Sequence, residues 1–414
     1  MLKENRKLYI LLALLLPLTL RAQVNWEPVR QKGNYFKVLE SSVEPNNSYP
    51  FSNSFSFTAV TVRFQGSTEN ANLIIDDLVY PLVPDPHSNG DLTTLIHLNQ
   101  AYNQLTLNSG NIQGQIELHL INGAHEGHRA GFDRRTGETE SCDEPVGISQ
   151  EVWRDGLELT NTSRAFSTVE HLIVHHSAGS NSASDYTEVV RSIFIYHTES
   201  NGWSDIGYNY LIAPDGSLFW GRDPIGGAQD NVIGAHFCGK NTGTMGICLM
   251  GTFTDVSPTD QALSTLRNLL SWKARKDGLN PIGSGIHSGE PLNTIAGHRD
   301  GCATECPGQM TYNLLPTLRY ELKQTVDACN GIFPPVAFSI YPNPVSGNSI
   351  YINTPDEFEI VDIIDSQGRL ARHHTIPVAT DSLEIPIGSL PGGVYFVQLR
   401  NSFKSKVGKF VIKR

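Results

Sequence analysis

Positive charge is what this chain is short of. Its 414 residues carry 31 Lys and Arg against 42 Asp and Glu, a formal net charge of -11. That balance argues against nucleic acid or an anionic lipid surface as the main partner. Long apolar runs are scarce as well. Leu8 to Leu20 is the one such run, and it is shorter than the roughly 20 residues a spanning helix needs. No membrane span is therefore expected in the mature chain. Cysteine is limited to six residues, none spaced as a Cys-x-x-Cys pair, so no single motif announces a metal site.

What is present begins with an export signal. Lys3, Arg6 and Lys7 precede the apolar run and Ala22 follows it, so residues 1–22 read as a cleaved secretory peptide. In an exported chain the cysteines can pair oxidatively. The remaining length implies two or three domains.

Composition divides the rest into blocks. Residues 23–122 look all-β: Phe55-Ser-Phe57 is followed by Val60-Thr-Val62-Arg-Phe64 with a slip at Ala59 that reads as a bulge, and Ile116, Leu118 and Leu120 alternate cleanly. Short strands between Asn, Gly, Ser and Pro clusters imply a β-sandwich, an accessory domain without a catalytic constellation. Residues 123–143, rich in Gly, charge and His, read as a linker in which His125 and His128 are solvated. Residues 144–330 alternate strand and helix patterns. Strands are expected at His171 to His176, Tyr208 to Ile212, Ser217 to Trp220, Met245 to Gly251 and Thr294 to Gly297. One helix is expected over Val189 to His197 and one over Tyr312 to Val326. Another, capped at Ser257, carries the stripe Leu263, Leu266, Leu269, Leu270, Ala274. Residues 331–337 form a second linker, and 338–414 a small β-sandwich. The fold class is thus an α/β domain, a mixed sheet covered by helices, flanked by two β-sandwiches.

Two fragments carry the chemistry: His171-Leu-Ile-Val-His175-His176-Ser177 and Gly297-His298-Arg-Asp-Gly-Cys-Ala-Thr304-Glu-Cys306-Pro-Gly308. Together they offer two imidazoles and a thiolate, a three-ligand zinc set with a fourth position for water. Strand alternation puts His175 and His176 on opposite faces, so one of them at most is a ligand. By spacing alone, two core histidines and a reduced or disulfide-bonded Cys306 fit equally. Cys248, in the run Met245-Gly-Ile-Cys-Leu-Met250, reads as a core thiol.

The 144–330 block resembles the amidase domain shared by peptidoglycan recognition proteins and bacteriophage amidase-type lysozymes. The motifs run in order: Ile148-Ser-Gln-Glu-Val-Trp153, His171 to Ser177, Gly202-Trp203-Ser-Asp205-Ile-Gly-Tyr208, Asp215 to Arg222, Gly234-Ala-His236, Met245 to Gly251, and Gly297-His298-Arg299-Asp300 with Cys306-Pro-Gly. The resemblance implies His175, His298 and Cys306 as zinc ligands and Tyr208 as a catalytic tyrosine. Phage members carry a lysine where this chain has Thr304, so it sides with the recognition proteins, and the Tyr208 and Thr304 hydroxyls become the expected donors to the reacting carbonyl. His236, Trp203 and Asn241 resemble positions lining the glycopeptide groove, with His197 a further wall candidate. Arg222 and Arg299 read as loop braces through carboxylates such as Asp300. Glu305, next to a residue that must face the metal, is expected to point away. Cys238 with Cys302 and Cys142 with Cys329 is a compatible disulfide pairing, with other connectivities left open.

The last block is similar to the sorting domains of type IX secretion, through Tyr341-Pro-Asn-Pro344, Asp365-Ser-Gln-Gly-Arg369, Leu390-Pro-Gly-Gly-Val-Tyr395 and Lys409-Phe-Val-Ile-Lys413. The expectation is a secreted or cell-surface, monomeric, zinc-dependent N-acetylmuramoyl-L-alanine amidase. Its expected partners are peptidoglycan muropeptides and the type IX secretion machinery. The rival reading is a non-catalytic peptidoglycan-binding protein on the same fold, and a third is an adhesin using that fold as scaffold.

Overall fold

The computed structural model describes residues 25–85, 88, 90–125, 142–159, 161–330, 339–353, 358–376, 382–401 and 405–414. The export signal, His128, the 331–337 linker and most of the 123–143 linker lie outside them. Two compact units are present: the chain up to Glu126 together with Ser182–Trp203, and the remainder.

The first unit is built on strands β1 (Glu27–Lys32), β2 (Phe36–Val43), β3 (Ser48–Arg63), β4 (Asn72–Ile75), β5 (Leu78–Pro81), β6 (Ile96–Asn108) and β7 (Gly114–Ile121). They form one hydrogen-bonded sheet in the order β1-β2-β7-β3-β6-β4-β5, not the two separate sheets expected of a sandwich. The physical reason is the length of β3. It pairs with β6 from Ser48 to Val60, with register shifts around Phe57 and Ala59, and from Ala59 to Arg63 it also pairs with β7 on its other edge. Such bulges bend a strand and let it serve both halves of a folded sheet. A single apolar cluster, from Leu39 to Leu120, fills the inside.

The helix Tyr186–Ile195 and the π-helical turn Tyr196–Ser200 that continues it belong to this unit. Arg30 donates to the Glu199 carbonyl at 2.7 Å and Lys32 pairs with the Glu199 carboxylate at 2.9 Å. Arg63 donates to the Ser200 carbonyl at 2.7 Å, and the His119 ring meets the Ser200 hydroxyl at 2.8 Å. The start of the expected linker is packed here. A Cβ on Gly123 would lie 2.3 Å from the Ser192 hydroxyl and 2.4 Å from the Glu188 carbonyl, so only glycine lets the chain pass the helix.

In the second unit, β8 (His171–His176), β9 (Tyr210–Ile212), β10 (Leu218–Trp220), β11 (Thr244–Leu249) and β14 (Ile295–Gly297) make a sheet in the order β10-β9-β11-β8-β14. β9, β11, β8 and β14 run parallel, while β10 returns antiparallel as the expected hairpin. A further hairpin, β12 (Ser284–His287) with β13 (Glu290–Asn293), lies outside that sheet and had no signal in the sequence reading. The helices Asp260–Asp277 and Gln309–Cys329 cover one face, packing Leu266, Leu269, Leu270, Leu315, Leu318 and Leu322 on Leu172, Val174, Ile247 and Leu249. The first of these helices starts later than expected. Thr259, not Ser257, is its cap, because the Thr259 hydroxyl accepts from the Ala262 N–H at 3.2 Å. Cys142–Cys329 and Cys238–Cys302 are the disulfides.

The last segment has two sheets around one core. The first is β15 (Ile340–Tyr341), β16 (Ser349–Asn353) and β19 (Ser382–Pro386); the second is β17 (Ile360–Asp365), β18 (Leu370–Thr375), β20 (Gly393–Arg400) and β21 (Ser405–Ile412). Ile350, Ile352 and Ile385 of one meet Val361, Val397, Leu399 and Phe410 of the other. Among the described residues no helix is long and apolar enough to cross a membrane.

Burial lowers the His97 imidazole to about 4. The folded first unit therefore holds this ring neutral where the unfolded chain, titrating near 6.5, takes up a proton. Stability is full above that unfolded value and is lost as pH falls from 6.5 toward 4. At pH 4.5 the expected loss relative to pH 7 is about 2 kcal/mol from this residue. Denaturant melts at the two pH values should show it, and His97→Gln should make the pH dependence shallower by that amount. An unchanged slope in the variant would exclude His97 as its source.

Candidate metal centre

β8 is buried along its whole length, so its two faces are set by what packs on each. Leu172 and Val174 face the helices, while Ile173 joins Phe237, Leu292 and Ala296 on the other side. His175 shares that second face, and His176 points back, its Nδ1 accepting from the Phe253 N–H at 3.3 Å. Alternation thus separates the two histidines as the sequence required.

His298 opens the short 3-10 turn that directly follows β14, the parallel neighbour of β8. Asp300 fixes that turn by accepting from the Gly297 N–H at 2.9 Å and from the Tyr312 hydroxyl at 2.6 Å. The loop then returns. Arg299 N–H donates to the Cys306 carbonyl at 2.9 Å, Cys306 N–H donates to the Thr304 hydroxyl at 3.2 Å, and the Cys306 sulfur accepts from the His176 N–H at 3.3 Å.

The result brings the three expected ligands together. One donor atom from each of His175, His298 and Cys306 lies within 4.8 Å of the others, all three residues being buried. Cys306 Sγ is 3.7 Å from His175 Nδ1. Ligands around a tetrahedral zinc at about 2.0 to 2.3 Å stand roughly 3.5 Å apart, so this donor set fits that metal in chemistry and spacing. A second cluster, Cys238, His298 and Cys302, offers no such set, because its two sulfurs are joined as a disulfide.

Tyr208 is buried with its ring centroid 5.2 Å from that of His175. Its hydroxyl hydrogen-bonds the Cys248 thiol. Cys248 is the register partner of His175 on β11, so it stands beside the site and not only in the core. Burial pushes its thiol well above the usual range, and the nearby Cys306 adds to the shift. Thr304 is half-buried on the Cys306 loop. The Glu305 side chain is 85% exposed and 3.7 Å from Arg299. Arg299 braces the loop through Glu305 and Gln309 and lies over the Tyr312 ring, not through Asp300. Arg222 bonds the Ile206 carbonyl and the Ser204 hydroxyl, while Arg164 takes Asp205 at 2.8 Å.

The four expected groove residues separate. His236 is only 2% exposed and lies behind His175, its Nδ1 3.0 Å from His175 Nε2. Asn241 directs its side-chain oxygen to the backbone N–H groups of His236 and Phe237, at 2.8 and 2.9 Å, which makes it a turn brace. His197 and Trp203 lie ring against ring at 4.6 Å within the first unit. The contact between His175 and His236 was missed in the sequence, although two glycines signal it. A Cβ on Gly234 or on Gly246 would lie 2.5 Å from the His236 ring, so both positions are kept bare by that imidazole.

Residues 165–309 match the N-acetylmuramoyl-L-alanine amidase family and residues 339–413 the secretion system C-terminal sorting domain. Peptidoglycan-recognition protein SC2 of Drosophila simulans is 32% identical over 173 residues, which span 41% of this chain and 84% of that protein. The chain belongs to the peptidoglycan-recognition protein family. Human N-acetylmuramoyl-L-alanine amidase is 33% identical over 150 residues, 35% of this chain and 23% of the human protein. Among solved structures, Drosophila PGRP-LB aligns at 29% identity with a TM-score of 0.34, covering 42% of this chain and 93% of that one. In this member of the peptidoglycan-recognition proteins the sorting match is of the type IX kind, and such a tail suggests secretion or a cell-surface location.

Because Gly246 borders His236, Gly246→Ala should force the ring to move, at a cost of about 1–3 kcal/mol. The check is the shift in the urea midpoint of the full chain followed by tryptophan fluorescence. An unshifted midpoint would show that the pocket around His236 has room to spare.

Proposed function

We propose that this chain is an exported zinc-dependent N-acetylmuramoyl-L-alanine amidase, cutting the amide between N-acetylmuramic acid and L-alanine in peptidoglycan. The observation that carries the proposal is the convergence of His175, His298 and Cys306 on one buried point. Zinc bound there would lower the pKa of a water ligand to about 7 and polarise the scissile carbonyl. His175 offers the metal its Nδ1 edge, which faces Cys306. His298 turns its Nε2 edge to the Cys238 sulfur at 3.7 Å, leaving Nδ1 as its ligand atom. Cys306 binds as thiolate. Tyr208, whose ring centroid lies 5.2 Å from that of His175, would donate its hydroxyl to negative charge developing on the carbonyl oxygen, and Thr304 would be a second donor. Family membership and the relatives named as amidases support the reaction class, and the sorting domain supports action outside the cell.

Incubating the full chain with cell-wall sacculi tests this reading. Free L-alanine N-termini should appear, stop on chelation and return with zinc. Cys306→Ser should abolish both metal uptake and release, and Tyr208→Phe should lower kcat by about 10²-fold with sacculus binding retained. Binding to sacculi without any release would replace the amidase with a recognition protein.

A further inference from the structure

Behind the metal ligand His175 lies a polar chain that the amidase reading does not require. His175 Nε2 meets His236 Nδ1 at 3.0 Å, and His236 Nε2 meets the Thr244 hydroxyl at 3.4 Å. The Thr244 hydroxyl donates its hydrogen to the Asn241 carbonyl at 2.8 Å. Its oxygen is thus left to accept, which makes His236 Nε2 the protonated nitrogen and His236 Nδ1 an acceptor. That acceptor faces His175 Nε2, so the His175 hydrogen sits on Nε2 and the lone pair on Nδ1. Nδ1 is the atom that faces Cys306.

We infer that His236 is a positioning residue for the metal site: it fixes the tautomer and ring angle of His175 so that Nδ1 presents a lone pair to zinc. The inference rests on the zinc reading above. Metal-bound imidazoles depend on what holds their other nitrogen, and removing that partner typically lowers metal affinity 10- to 100-fold. The surroundings fix His236 in turn. Its backbone N–H donates to the Asn241 side-chain oxygen at 2.8 Å, and the bare Cα atoms of Gly234 and Gly246 border its ring. A neutral imidazole serves as the acceptor where a carboxylate would add a negative charge beside a thiolate ligand.

Zinc affinity of the full chain, measured by chelator competition, decides the matter with two nearly isosteric variants. His236→Asn keeps an acceptor at the Nδ1 position and should stay within about threefold of the unmodified protein. His236→Leu removes it and should lose 10- to 100-fold. Equal affinity for Leu and the original residue would overturn the inference while leaving the zinc site intact. No zinc uptake by the unmodified chain, or uptake unaffected by Cys306→Ser, would instead overturn the zinc reading and this inference with it. Nitrogen-15 histidine spectra of the metal-free unmutated chain give a reading that needs no variant to fold. His175 in the Nε2–H form supports the inference, and the Nδ1–H form overturns it.

Discussion

The site depends on β8 being covered on both faces. A strand slips easily only where its two faces are alike; those of β8 pack against different partners, and β11 and β14 hold its two edges in parallel register. A slip of one residue would send His175 under the helices and His176 into the site. The apolar cluster of Leu172, Val174, Ile247 and Leu249 against two helices forbids that slip. Packing remote from the cluster therefore decides which of the two histidines faces His298 and Cys306.

The other two expected ligands arrive by a different means. His298 comes at the end of β14, where the sheet still fixes direction, but Cys306 must be returned by an irregular loop. Backbone groups do that work: Cys306 is tied through its carbonyl to Arg299 and through its sulfur to the His176 N–H. Cys238–Cys302 joins the same loop to the segment that follows His236. With 64 residues between its ends, such a bridge removes about 4 kcal/mol of unfolded-state entropy in the loop-closure model. A reduced bridge would leave His175 in place on its strand and free the loop that carries Cys306.

Legibility followed the range of the interactions. The run His171 to His176 and the alternation of its faces were readable because a strand's period is local, and so was the turn between β9 and β10. The three expected ligands could be named only as a set, through motifs in order, since nothing in spacing tells a returning loop from a free one. The single sheet of the first unit was not readable, because it depends on where β3, already paired with β6, takes β7 on its other edge. Nor was the role of His236. Its meaning lies in a contact with His175 across 61 residues, and the glycines that make room for it look like ordinary turn and strand glycines until the ring is in place. The helix cap moved from Ser257 to Thr259 for a smaller reason: either residue suits the role, and only the reach to the Ala262 N–H separates them.

The segment Ser182–Trp203 shows that order along the chain and order in space need not agree. It falls inside the amidase-family match, yet it packs as part of the first unit. Its π-helical turn presents carbonyls and side chains that Arg30, Lys32, Arg63 and His119 of the sheet satisfy. A wide turn of this type leaves its end groups poorly paired within the helix, so outside donors must complete them. Removing the sheet would strand Glu199, whose side chain is 8% exposed, without its lysine. The loss of a partner from a group so buried costs about 1–3 kcal/mol, more when it is charged. The N-terminal block is therefore part of what gives the 196–203 segment its shape, and His197 and Trp203 sit on that segment.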